Sequence, residues 1–186
     1  ADAMKMIREH AAEWHVDPDA IAVIGFSAGG HLAANLATST SDDVLVAHGY
    51  DPDAVRPNGL MLAYPVITSG PLAHRGSFDS LLGERRNDSE ALESVSIERH
   101  IDAKTPPVFV WHTVPDEVVP YENTLMLIDA CKKAGVSIEA HLFPQGGHGL
   151  SLGTAETAWQ GVSGIEPSIQ IWPQLAVSWM RRTFAR

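Results

Sequence analysis

Cysteine is nearly missing from this chain. Cys131 stands alone among 186 residues, so no disulfide can close within the chain and no cysteine-based zinc cluster can form. Long apolar runs are missing too: none approaches the roughly 18 residues of a membrane span, and the opening ADAMKMIREH lacks the apolar centre of a secretion signal. Positive charge is scarce, with 13 Lys and Arg against 23 Asp and Glu, a formal charge of -10 with neutral histidines. A surface of that sign repels phosphate backbones and anionic lipid. It argues against nucleic acid and membrane surface as partners and suits a neutral or cationic substrate. Neither H-E-x-x-H nor a comparable ligand spacing is present, so no metal is expected. Internal repeats and low-complexity segments are absent as well.

Apolar material, by contrast, is ample at 45% of residues. A chain of this length buries roughly 70% of the surface its unfolded form exposes, which suits one globular domain over residues 1–186. Its pattern alternates helix and strand. Met4, Ile7, Ala11 and Trp14 fall at helical spacing on one face, and HVDPDA breaks that helix. IAVIGF (21–26) then reads as a strand buried on both faces, followed by helical LAANLA. Further strands are expected at GLMLAYP (59–65), PVFVWH (107–112) and SIEAHLFP (137–144). The first two of these are almost continuously apolar, as central parallel strands are. A helix after Pro120 should bury Leu127, Ile128, Cys131 and Ala134, carry Lys132 and Lys133 in its last turn and stop at Gly135. A last helix from Pro173 to the end should bury Leu175, Ala176, Trp179, Met180 and Thr183. The fold class is therefore α/β with a mostly parallel sheet flanked by helices. Residues 65–106 interrupt this rhythm with stretches dense in turn formers and two short helices, around FDSLL and EALESV. A long insertion beyond the carboxyl ends of parallel strands is placed to cap or line a pocket.

GFSAGGHLA (25–33) sits between a strand and a helix. A serine lifted on a strand-to-helix turn needs flanking positions without side chains, and Gly25 and Gly29 supply that room around Ser27, with Gly30 adding clearance. The turn exposes the hydroxyl at a helix N-terminus, where free N–H groups such as that of Ala28 can hold an oxyanion. The bland alternative is a capping serine in a glycine-rich turn. A serine hydroxyl is a weak nucleophile and needs a base, itself held in the right tautomer by a carboxylate. Asp116 and Glu117 lie in the loop after PVFVWH, and His148 lies in the glycine-rich loop PQGGHG after the next strand. Ser27, Asp116 and His148 thus follow three different strands, with Glu117 as the competing carboxylate.

GFSAGGHLA, LAYPVI, SLLGE, WHTVPDEVVP and FPQGGHG together resemble the α/β-hydrolase superfamily, and within it bacterial esterases similar to acetyl-xylan esterases and other carbohydrate deacylases. The resemblance implies Ser27 as nucleophile, His148 as base and Asp116 as acid, the Asp-x-x-Val-Pro spacing favouring Asp116 over Glu117. It implies hydrolysis of short acyl esters, acetyl groups on a carbohydrate such as xylo-oligosaccharide, through an acyl-enzyme and without metal or organic cofactor. The glycine-rich oxyanion loop that such proteins carry upstream of this strand–turn–helix elbow around Ser27 has no match here. The chain is accordingly expected to hold the C-terminal part of the fold, without the N-terminal strands, and to present Ile21 to Phe26 as an apolar edge. A second chain or another copy would cover that edge. Two other readings stand beside the esterase: a prolyl-oligopeptidase-like serine peptidase, which shares the elbow and the Asp-x-x-Val-Pro stretch, and a non-catalytic fragment or binding module needing a complementing chain.

The remaining candidates have plainer expectations. His31 should pack on the elbow helix, since it comes too early for the triad order. His112 reads as a satisfied core histidine that could instead line the pocket. Trp111, Trp159 and Trp172 should fill the core rather than stack on sugars. Arg85 and Arg86 should form a solvated face, and Cys131 an inert core position.

Overall fold

The computed structural model describes residues 1–159 and 163–185. Its four strands, β1 (Ala22–Phe26), β2 (Gly59–Ala63), β3 (Val108–Thr113) and β4 (Ile138–Phe143), pair in chain order as one parallel sheet. Eight α-helices connect and flank them among the described residues: α1 (Asp2–Glu9), α2 (Ala28–Ala37), α3 (Asp42–Ala47), α4 (Pro52–Val55), α5 (Arg75–Leu82), α6 (Ser89–Ser94), α7 (Glu122–Ala134) and α8 (Trp172–Thr183).

Strand alternation sorts the core into two layers. Leu60, Leu62, Val108 and Val110 point to one face, where Ala33, Ala34 and Ala37 of α2 and Leu127 and Cys131 of α7 pack on them. Ala63, Phe109 and Trp111 point to the other, beneath Trp172, Ala176 and Trp179 of α8. The two central strands are buried almost throughout, which is why their sequences read as continuous apolar runs. Close approach explains two of the glycines. A Cβ on Gly30 would stand 2.9 Å from Pro65 Cβ, and one on Gly59 would stand 2.9 Å from the Phe184 ring.

Several expectations are met closely. α7 ends at Gly135 in the left-handed conformation, with Lys132 and Lys133 in its last turn. Helices α5 and α6 stand where the two short helices were expected. α8 begins one residue before Pro173 and ends at Thr183; Arg186 lies outside the described residues.

Two expectations are corrected. α1 stops at Glu9, and the turn from His10 to His15, the latter at φ 55°, folds Val16 back onto the small core of Met4, Ile21, Leu45 and Val55. Trp14 is thereby left on the surface, stacked on His10 with ring centroids 4.9 Å apart. β1 is not buried on both faces. It is an edge strand, paired only with β2 among the described residues, and its Ile24 is 41% exposed. The sheet has an outer border there, with a row of backbone groups that β2 does not use.

Candidate active site

Three loops beyond the carboxyl ends of β1, β3 and β4 converge. Ser27 follows β1 directly and is held at φ 54°, ψ -124°, a conformation that costs a non-glycine residue of order 1–3 kcal/mol. The surroundings enforce it. Ser27 N–H donates to Ala63 O at 3.0 Å, while its carbonyl accepts from the Gly30, His31 and Val66 N–H groups. A Cβ on Gly25 would fall 2.3 Å from Gly29 O, so the turn closes only around glycine at that position. Gly29 is different from its expected role: a Cβ there meets nothing within 4 Å, and the second tight position is Gly30.

The Ser27 hydroxyl donates to His148 Nε2 at 2.7 Å, and His148 Nδ1–H donates to Asp116 Oδ2 at 2.7 Å. The structure brings Asp116, not Glu117, against the histidine: Asp116 is buried and Glu117 points to solvent. The local cause is a tight turn. Asp116 Oδ1 accepts the N–H groups of Val118 and Val119, each at 2.9 Å, so the residues two and three positions on cap the carboxylate and aim Oδ2 inward. Burial by itself would raise the proton affinity of this carboxyl. Hydrogen bonds from His112, His148 and the Val119 N–H outweigh it and hold Asp116 well below the usual carboxylate range.

Ala28 opens α2 at the residue after Ser27, and its N–H is one of those a helix leaves without an internal partner. An anion formed at Ser27 would meet that end of the helix. Among the described residues, no three His, Cys, Asp or Glu side chains group as metal ligands.

Tyr64 belongs to this site although no local pattern in the sequence marks it. It follows β2 at φ 38°, its ring meets the His148 imidazole edge-on at 4.9 Å, and its hydroxyl accepts the Ser151 N–H at 3.0 Å. Ser151 is itself at φ 52°. Three of the four non-glycine residues with positive φ among the described residues therefore sit in one connected patch, Ser27, Tyr64 and Ser151. Strain concentrated in this way marks a functional site. The sequence signal was faint: an aromatic before Pro65 reads as the end of a strand and nothing more.

The other candidates separate cleanly. His31 is buried, with Nε2 at 2.7 Å from Val95 O and its ring against Phe78, and it ties α2 to the 65–106 segment. Burial pushes its pKa below the ordinary 6.5, against the raising effect of the Val95 carbonyl and Glu98. His112 is fully buried beneath the site and does not line a pocket. Trp111 and Trp172 are core residues, whereas Trp159 is 71% exposed and corrects the expectation that it fills the core. Arg85 and Arg86 are exposed, Arg85 pairing with Asp88 at 3.2 Å. Cys131 is buried in the sheet–helix core, and desolvation pushes its thiol up to about 12, where it is inert at neutral pH.

A parallel sheet carrying a strained serine on a strand–turn–helix, with a histidine and an aspartate delivered from later strands, defines part of an α/β-hydrolase fold. Solved structures agree. The acetyl ester-xyloside bifunctional hydrolase of Caldicellulosiruptor lactoaceticus superposes with a TM-score of 0.79 at 36% identity over 97% of this chain and 62% of that one. The chain belongs to the BD-FAE family, whose model matches residues 1–130. Among curated relatives, endo-1,4-beta-xylanase B of Butyrivibrio fibrisolvens is 35% identical over 161 residues, 86% of this chain and 25% of that protein. Acetylxylan esterase of Xylanibacter ruminicola is 30% identical over 154 residues, 81% of this chain and 30% of that protein. The chain thus spans only 25% and 30% of the length of these two curated relatives.

Proposed function

We infer that the protein is a serine carboxylesterase acting on short acyl esters, with acetyl groups on a carbohydrate such as xylo-oligosaccharide as the substrate class. The observation that carries this reading is the unbroken hydrogen-bonded line from the strained Ser27 through His148 to Asp116, 2.7 Å at each step. In this reading Ser27 Oγ attacks the ester carbonyl while His148 Nε2 takes its proton. Asp116 holds the imidazole with Nδ1 protonated and stabilises the imidazolium. The carbonyl oxygen gathers negative charge beside the Ala28 N–H. The imidazolium returns its proton to the departing sugar hydroxyl, and water, activated by the same histidine, releases the acid from the acyl-enzyme. The carbohydrate preference is supported by the names of the xylan-directed relatives, and residues 65–106 would line the pocket.

A second component of the reading is favoured by the open border of β1. A strand from outside residues 1–186, of the kind a second polypeptide or another copy of this chain would supply, covers Ile21 to Phe26 and brings the second oxyanion donor. Without such a donor, rates commonly fall a hundredfold or more.

Intact-mass spectrometry after treatment with a fluorophosphonate tests the assignment. One adduct on the wild type and none on Ser27→Ala is expected, together with turnover of acetylated xylo-oligosaccharide. An unlabelled wild type overturns the esterase, and hydrolysis of an aminoacyl-prolyl amide in place of acetyl esters selects a peptidase.

A further inference from the structure

Asp116 serves two histidines. Its Oδ2 accepts His148 Nδ1–H and also lies 3.2 Å from Nε2 of His112, which projects from β3 and has no solvent exposure. The same His112 Nε2 is 3.0 Å from Val119 O. Both neighbours of that nitrogen are acceptors, so it carries the proton and shares it between them. On the other side of the ring, Nδ1 is 2.8 Å from Oγ1 of Thr124, a buried residue in the first turn of α7. A hydroxyl can donate there, and one proton on each partner then satisfies the buried set: Thr124 O–H to Nδ1, and Nε2–H to Asp116 and Val119.

We propose that His112 is a positioning residue of the triad: fixed by Thr124 as the neutral Nε2–H tautomer, it shares the Asp116 carboxylate with His148 and limits the negative charge that reaches the catalytic base. The proposal rests on the triad reading for its catalytic meaning, but the hydrogen-bond competition exists whether or not the chain turns over substrate. Both oxygens of Asp116 are then fully engaged, Oδ1 by two backbone N–H groups and Oδ2 by two imidazoles. The carboxylate can neither rotate away from His148 nor take up a proton cheaply.

The sign of the effect follows from the charges. Negative charge on Oδ2 stabilises the His148 imidazolium, and a second donor on that oxygen withdraws part of it. Removing the His112 N–H therefore makes His148 a stronger base. Among the described residues, the titratable groups facing His148 are Asp116, from the loop after β3, and Tyr64, from the end of β2. Burial raises the Tyr64 phenol above its ordinary value, so it stays neutral across the relevant range. α7 contributes only the Thr124 hydroxyl to the network.

Two substitutions separate this role from packing. An Asn amide reaches no further than the ring Nδ1 position, so His112→Asn keeps a partner for Thr124 and loses the one to Asp116. A Gln amide nitrogen reaches the Nε2 position, so His112→Gln keeps a donor on the carboxylate. Histidine-detected NMR titration of the folded chain reads both. In the wild type, nitrogen shifts should show His112 as the Nε2–H tautomer. The titration midpoint of His148 should rise by about one pH unit in His112→Asn and stay within about 0.3 unit of wild type in His112→Gln. A wild-type Nδ1–H tautomer, or an unmoved His148 midpoint in a folded His112→Asn, overturns the proposal. Should His112→Asn fail to fold, the wild-type tautomer still decides. Failure of fluorophosphonate labelling with the NMR shifts intact would sink the esterase and leave this coupling standing.

Discussion

Ser27 keeps its left-handed backbone because nothing else fits the turn: Gly25 lies against the carbonyl of Gly29, and Ser27 O collects three N–H groups. Gly25→Ala forces backbone atoms apart and is expected to cost about 3 kcal/mol, read as a lowered denaturation midpoint and lost fluorophosphonate labelling. Gly29→Ala, with open space around its new methyl, is expected to change stability by less than about 1 kcal/mol and to keep labelling. Equal damage from the two substitutions would show that the tight position has been misplaced. His31 supplies a prediction of a different kind. Its folded pKa lies below the ordinary 6.5, so below that pH the unfolded chain binds a proton that the folded chain refuses. The stability associated with neutral His31 is present above pH 6.5 and is lost as pH falls towards the folded value. Melting curves at pH 7.5 and 5.5 should therefore diverge more for the wild type than for His31→Asn, and parallel losses would contradict the assignment.

Among the elements, legibility followed from how each one buries its residues. β2 and β3 are covered on both faces, so their apolar runs were plain in the sequence. α7 carries both a helical stripe and a glycine stop, and both were visible. α3 and α4 are too short for periodicity to register. Each is held by partners distant in sequence: Arg56, just after α4, pairs with Asp42 at the start of α3 at 2.8 Å. α1 carried a stripe longer than the helix itself, because the turn at His10 to His15 answers to the core around Ile21 rather than to helical spacing. The same division runs through the site. Ser27 and His148 announced themselves through glycine-rich turns, and the choice of Asp116 over Glu117 matched the two N–H groups that follow it. The contacts of His112 with Thr124, and of Tyr64 with Ser151, join residues from separate elements and leave no local pattern to read.

At the scale of the whole molecule the sheet, as the described residues build it, is lopsided. One border ends at β4 and the other at β1, where Ser27 N–H and its odd-numbered neighbours turn to β2 while the N–H groups of Ala22, Ile24 and Phe26 turn outward. If β1 is a free edge in solution, those three amides exchange with deuterium orders of magnitude faster than Val23 and Gly25. Protection of all five at high concentration, lost on dilution, would instead reveal a strand from another copy, and protection at every concentration would reveal a tightly held second polypeptide. The opposite layer of the molecule is rich in rings. Trp111 of β3 and Trp172 of α8 stack with centroids 5.5 Å apart, Tyr64 meets Trp111 edge-on at 5.0 Å, and the same Tyr64 touches His148. Two indoles so close share their electronic excitation, and the pair bridges the sheet to its last helix. The protein thus carries a built-in chromophore, whose circular dichroism in the ultraviolet reports the docking of α8 one ring away from the imidazole.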